Sequence, residues 1–198
     1  VRTSIPSHAY RFSVAVLTAA VILSAQSLVQ SQQTESKVMI DIGNADGPPG
    51  RTLTLPVNIA IPEGTKVTQI EMDVRFEKNV LSFTKADLAP QGKADELKLT
   101  ATVEDDPKDE KLSILKLKAV GEKALGSGAV ADLFFRINPK AKPPGGSTGH
   151  KASKFSTALK KDARVTLAEG KVVAAGGRDG EIDVTAGQSV FGCFFYMH

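Results

Sequence analysis

From residue 37 onward, apolar side chains recur at every second position, the period of a strand with one buried face. Val38, Ile40 and Ile42 alternate with Met39 and Asp41. Leu53, Leu55, Val57, Ile59 and Ile61 follow with mostly polar partners, and Pro56 marks that strand as bulged or near an edge. Ile70, Met72, Val74 and Phe76 alternate with Gln69, Glu71, Asp73 and Arg75, the cleanest pattern in the chain. Leu81 and Phe83 predict a short strand. Leu97, Leu99, Ala101 and Val103 alternate with Lys98, Thr100 and Thr102, and Leu115 and Leu117 stand opposite Lys116 and Lys118. Residues 129–138 hold Val130, Leu133, Phe134, Phe135 and Ile137, dense enough for burial on both faces. Val165 and Leu167, then Val172 and Val173 after Glu169-Gly170, predict a hairpin, and Ile182 with Val184 closes the set.

Turn formers separate these runs: Gly47-Pro48-Pro49-Gly50, Pro62-Glu63-Gly64, Ala89-Pro90-Gln91-Gly92, Gly126-Ser127-Gly128 and Asp179-Gly180. Helical periodicity is weak. Only Phe155, Leu159 and Ala163 fall at i, i+4 and i+8, and a short strand fits them equally. Residues 139–153, with Pro143-Pro144-Gly145-Gly146-Ser147, read as a long surface loop. The expected fold is an all-β antiparallel sandwich.

The N-terminus follows a different logic. Arg2, His8 and Arg11 precede an apolar run at residues 12–25, and Ser24-Ala25-Gln26-Ser27 supplies small residues for cleavage. That order is the pattern of a secretory signal peptide. A bilayer span needs about 20 apolar residues, and Ser13, Thr18 and Ser24 dilute this run. The expected organisation is a signal peptide at 1–27, a polar linker at 28–37, a β-sandwich domain at 38–185 and a tail at 186–198. The product is expected to be secreted or held at the cell surface, with no membrane span in the mature domain.

Charge and aromatic content narrow the function. The net charge of +3 falls to +1 from Leu28 onward, because Arg2 and Arg11 lie before it and leave 23 basic against 22 acidic residues. Nucleic-acid binding needs clustered Lys and Arg to neutralise phosphates, so it is not expected. Between residues 37 and 189 the only aromatics are Phe76, Phe83, Phe134, Phe135 and Phe155. Stacking on sugars or bases needs exposed flat rings, which this body hardly supplies.

Catalytic chemistry finds no convergent set. His150 lies in the Gly/Pro/Ser-rich loop without an identifiable partner, and Cys193, the sole cysteine, lies in the terminal stretch without a base. One cysteine makes neither an intrachain disulfide nor an all-Cys zinc site. The acidic run at 104–110 lacks the alternating Asp spacing and central glycine of an EF-hand loop, and Pro107 makes it a solvated hairpin tip. Residues 190–197 carry Phe191, Phe194, Phe195 and Tyr196, too short a stretch to cross a bilayer. No catalytic residue, metal ligand or cofactor is expected.

The ordered strands resemble a cohesin domain. The resemblance rests on Val38-Met39-Ile40-Asp41-Ile42, on Gly50 leading into residues 53–59, on residues 70–76 followed by Asn79-Val80-Leu81-Ser82-Phe83, on Gly126-Ser127-Gly128 running into residues 129–137, and on Asp179-Gly180-Glu181-Ile182-Asp183-Val184. It spans about residues 37–185. It implies a jelly-roll sandwich of about nine strands from a bacterial exported protein, binding a dockerin-type module on one sheet face without catalysis. That face would carry Gln69, Glu71, Asp73, Arg75, Lys98, Thr100, Thr102, Lys116 and Lys118, together with the segment near Thr157. Any polysaccharide would be reached only through the partner. An ordinary solvated face produces the same alternation. The competing functional readings are a carbohydrate-binding sandwich and a structural cell-surface module without a dockerin partner.

N-terminal sequencing of protein recovered from the medium should begin between about Gln26 and Ser31. An intact Val1 terminus in the membrane fraction would show an uncleaved anchor instead.

Overall fold

The computed structural model describes residues 37–141 and 155–185. Eleven strands and one short helix run in the order β1 (Met39–Ile42), β2 (Ala45–Gly47), β3 (Thr52–Ala60), β4 (Val67–Glu77), β5 (Leu81–Leu88), α1 (Pro90–Ala94), β6 (Lys98–Asp105), β7 (Leu112–Val120), β8 (Gly128–Ile137), β9 (Phe155–Leu167), β10 (Val172–Ala174) and β11 (Gly180–Val184). They build a sandwich. One sheet has the order β1-β3-β8-β5, and the other has β2-β11-β9-β4-β7-β6 with β10 added on β9. All pairings are antiparallel except β2 with β11. The all-β jelly-roll expectation is met. The strands beyond nine are β2 and β10, of three residues each.

The alternating aliphatics fill the space between the sheets. Ile70, Met72, Val74 and Phe76 from β4 meet Leu55, Val57, Leu133 and Phe135 in one continuous core. Phe135 is fully buried and takes edge-to-face contacts from Phe76 at 5.1 Å and Phe83 at 5.6 Å between ring centroids. Pro56 is accommodated in β3 because its backbone turns toward Gly43, just past the end of β1. Its carbonyl accepts from the Gly43 N–H at 2.8 Å, so the missing N–H breaks no ladder bond with β8. The free edge of β1 is covered from the other end of the chain: Ile40 N–H donates to Gly176 at 3.0 Å and Ile42 N–H to Arg178 at 3.2 Å.

Three elements differ from the sequence reading. β5 runs on to Leu88 rather than stopping near Phe83, through a register shift at Phe83/Lys85 against β8. Ala89-Pro90-Gln91-Gly92 opens a helix rather than a plain turn, with Pro90 in its first turn, where a missing N–H costs nothing. Phe155, Leu159 and Ala163 lie on a strand of 13 residues. The expected hairpin at 165–173 is present as β9–β10, with Gly170 at φ +85° in its turn. The proposed leader, the linker to residue 36, His150 in its loop, Cys193 and the aromatic tail lie outside the described residues.

Gly92 ties α1 to the core. It is buried, and a Cβ there would come within 2.2 Å of the Val130 carbonyl oxygen on β8. Gly92→Ala should therefore destabilise the domain by about 1–3 kcal/mol, the usual cost of overpacking. A denaturation midpoint unchanged from wild type would show that α1 moves away freely.

Candidate partner-binding face

Strand pairing brings the sequence-selected residues together on one surface. In an antiparallel sheet, directly opposed residues point to the same side. Across β9-β4-β7-β6, Arg164 stands beside Glu71, then Lys118, then Thr100. The next row is Asp162, Asp73, Lys116 and Thr102; the row after it is Lys160, Arg75, Ile114 and Glu104. Gln69 lies with Thr166, Val120 and Lys98 at the other end. Their neighbours Ile70, Met72 and Val74 are buried on the opposite side, so the pleat forces this row outward. The nine residues that the cohesin resemblance implies for the face thus lie on one polar surface.

Ion pairs organise it. Lys118 Nζ lies 3.0 Å from Glu71, Lys116 Nζ 2.9 Å from Glu104, and Gln69 donates to Glu71 at 3.0 Å. The Glu104 carboxylate, with Asp73 nearby, holds the Lys116 amine above its ordinary range, so it stays charged at neutral pH. These pairs are about half exposed, and such pairs stabilise a fold by only about 0.2–1 kcal/mol. Their larger effect is to fix where charge sits. Asp73 and Asp162 face each other across β4 and β9, and with Glu71, Met72 and Arg164 they line a shallow hollow of about 120 Å³. Among the described residues, no group of His, Cys, Asp and Glu is placed to hold a metal ion.

Thr157 does not belong to this surface. It is 3% exposed, its strand position faces inward, and its hydroxyl has no hydrogen-bond partner among the described residues. The segment around it does reach the outer side through Ser156 and Ala158, and β9 continues that row with Lys160, Asp162, Arg164 and Thr166, which the sequence reading missed. Lys161 hid them. It occupies an inward position opposite Val74, where alternation calls for an apolar residue, and its amine reaches out to the Gly177 carbonyl at 2.8 Å.

The acidic run at 104–110 also departs from a fully solvated hairpin tip. Asp106 is buried, accepting from the Lys108 backbone N–H at 2.8 Å and from Arg75 Nε at 3.1 Å. That pair anchors the guanidinium at one end of the face.

A family model described as Cohesin domain matches residues 38–174. The chain belongs to the cohesin family. Among solved structures, the non-cellulosomal cohesin of Archaeoglobus fulgidus is 18% identical with a TM-score of 0.57, over 75% of this chain and 91% of that one. A cohesin from a type I cohesin–dockerin complex of Clostridium thermocellum is 12% identical with a TM-score of 0.56, over 79% and 98%. A cohesin of Clostridium acetobutylicum, solved in solution, is 20% identical with a TM-score of 0.52, over 75% and 91%. At these identities the likeness concerns the fold. No curated protein matches the sequence. The cohesin family is one of non-catalytic interaction modules, and no helix among the described residues of this cohesin is long and apolar enough to cross a membrane.

The Lys108 backbone N–H first, and then the Arg75 guanidinium, hold the Asp106 carboxyl below its ordinary value of 3.8. A depressed carboxyl stabilises the fold above its unfolded pKa and loses that contribution as pH falls through the folded value. Asp106→Asn should therefore melt below wild type at pH 7, with the gap closing as pH drops below about 3.8. A gap constant from pH 7 to pH 2 would show that the charge of Asp106 is immaterial.

Proposed function

We propose that this cohesin is an exported, non-catalytic attachment module that receives a dockerin-type partner on the outer face of β4, β7 and β6. The observation that carries the reading is the gathering of Glu71, Asp73, Lys116, Lys118 and Thr100 on one continuous sheet surface of a cohesin domain. The similar C. thermocellum cohesin comes from a cohesin–dockerin complex, which supports this choice of partner. A partner meeting a face of fixed, alternating charge gains on-rate and specificity from complementary potentials. The module would span residues 38–185, delivered by a leader at 1–27 and spaced by residues 28–37, with a tail at 186–198. Its place would be outside the cell, secreted or at the surface. The face presents no aromatic side chain among the described residues of β4, β6, β7 and β9 other than Phe76 and Phe155, which stand on the core side. Carbohydrate would accordingly be reached through the partner rather than bound on this surface.

Binding of type I dockerin modules to folded variants tests the reading. Glu71→Lys, Asp73→Lys, Lys98→Glu and Lys116→Glu should each leave folding within about 0.5 kcal/mol of wild type, as exposed sites do. Reversals at the centre of the face should weaken dockerin binding by about tenfold or more. Unchanged affinity across all four would move the site to another surface.

A further inference from the structure

We propose that two copies of this chain associate edge to edge through β6, joining their sheets into one. β6 is the outermost strand of its sheet, paired only with β7. The other long edges are protected: the loop at 176–178 covers β1, and a register shift interrupts β5. Over its eight residues β6 has no second hydrogen-bonded strand and no register shift; β5 of the facing sheet comes near it without pairing. Val103 on this edge is 46% exposed although its position faces the core side.

The backbone of β6 defines which groups are free. Asp106 N–H donates to the Leu112 carbonyl, so this pair is a hydrogen-bonded one. Stepping back by twos along the same register, Glu104, Thr102, Thr100 and Lys98 turn their backbone groups toward β7. Leu99, Ala101 and Val103 therefore turn theirs toward the open edge.

The sequence Lys98-Leu99-Thr100-Ala101-Thr102-Val103-Glu104 is complementary to itself when reversed. With Ala101 on a two-fold axis, Lys98 of one copy meets Glu104 of the other, Leu99 meets Val103, and Thr100 meets Thr102. Leu99, Ala101 and Val103 then make about six backbone hydrogen bonds across the junction. The Lys98–Glu104 and Thr100–Thr102 pairs fall at the close, non-hydrogen-bonded positions, about 4.5 Å apart at Cα, where side chains interact most. Leu99 covers the exposed flank of Val103. Shifting the axis by one residue either way loses the match of Lys98 to Glu104. Among the described residues Lys98 pairs with the highly exposed Glu122, and Glu104 with Lys116 on the neighbouring strand, and both sites are open enough to take a second partner. An axis perpendicular to the sheet leaves both β4-β7-β6 faces pointing the same way.

Sedimentation of the full chain across about 1 µM to 1 mM tests this, and no dockerin is involved, so the result stands apart from the partner reading. The expected result is a concentration-dependent dimer. Lys98→Glu and Glu104→Lys should each raise its dissociation constant by about tenfold or more, because each puts like charges opposite one another twice. Mixing the two variants should restore the dimer, since every facing pair is then opposite in charge. Ala101→Pro removes an outward N–H and leaves the β6–β7 ladder intact, so a folded monomer is expected. A chain that stays monomeric throughout, a dimer indifferent to both reversals, or a mixture that fails to reassociate would overturn the proposal.

Discussion

Phe135 lies fully buried in the core, in edge-to-face contact with Phe76 of the opposite sheet and Phe83 of its own. Edge-to-face aromatic pairs contribute about 0.5–1.5 kcal/mol beyond the area they bury, and they constrain orientation as aliphatic contacts do not. Here the constraint sets which face of β4 looks inward. With Phe76 committed to the core, the pleat commits Val74, Met72 and Ile70 to it as well. Arg75, Asp73 and Glu71 have no alternative but to face outward. A slip of one residue would bury three charges, so the partner face and the core are two consequences of one register.

The edges of the sandwich follow a second constraint. Unpaired strand edges recruit other strands unless they are blocked. This chain blocks β1 by bringing residues 176–178 back across it, with Asp41 accepting from the Arg178 backbone N–H at 2.6 Å and pairing with its guanidinium. The backbone N–H of Arg178, aided by its guanidinium, keeps the Asp41 carboxyl below its ordinary range. Gly177, at φ +108°, passes so close to the Ile40 carbonyl that a Cβ would lie 2.0 Å from its oxygen. The loop is thus built to seal one edge. β6 carries no such seal and carries instead a charge order that suits a second copy of itself.

Much of the architecture was legible from period two alone. β3, β4, β6 and β7 fall where the alternation places them, because each has one buried face and the pattern records that asymmetry directly. β8, dense enough in apolar residues to suggest burial on both faces, is buried on one, with Phe134 half-buried on the other beneath the Lys85 amine at 4.7 Å. β5 was truncated because its outer half carries Lys85 and Asp87 on an edge where few positions are buried. β9 was ambiguous because Lys161 interrupts its inward series, and a snorkelling lysine looks like a break when only residue types are seen. Asp106 looked solvated because an acidic run normally is. Its burial depends on Arg75, a residue 31 positions away.

The sequence by itself determined the strand faces, the sandwich class, and the outward placement of Glu71, Asp73, Arg75, Lys98, Thr100, Lys116 and Lys118, because side-chain direction in a strand is a local consequence of the pleat. Which strands lie side by side is a different kind of fact. Only the tertiary structure set β7 between β4 and β6, so that Lys118 meets Glu71 and Lys116 meets Glu104, and added β9 to the same surface. It also left β6 without a hydrogen-bonded strand on its outer side. Neighbour order rests on long-range backbone pairing and on which apolar faces close on one another. Neither leaves a periodic trace within a single strand.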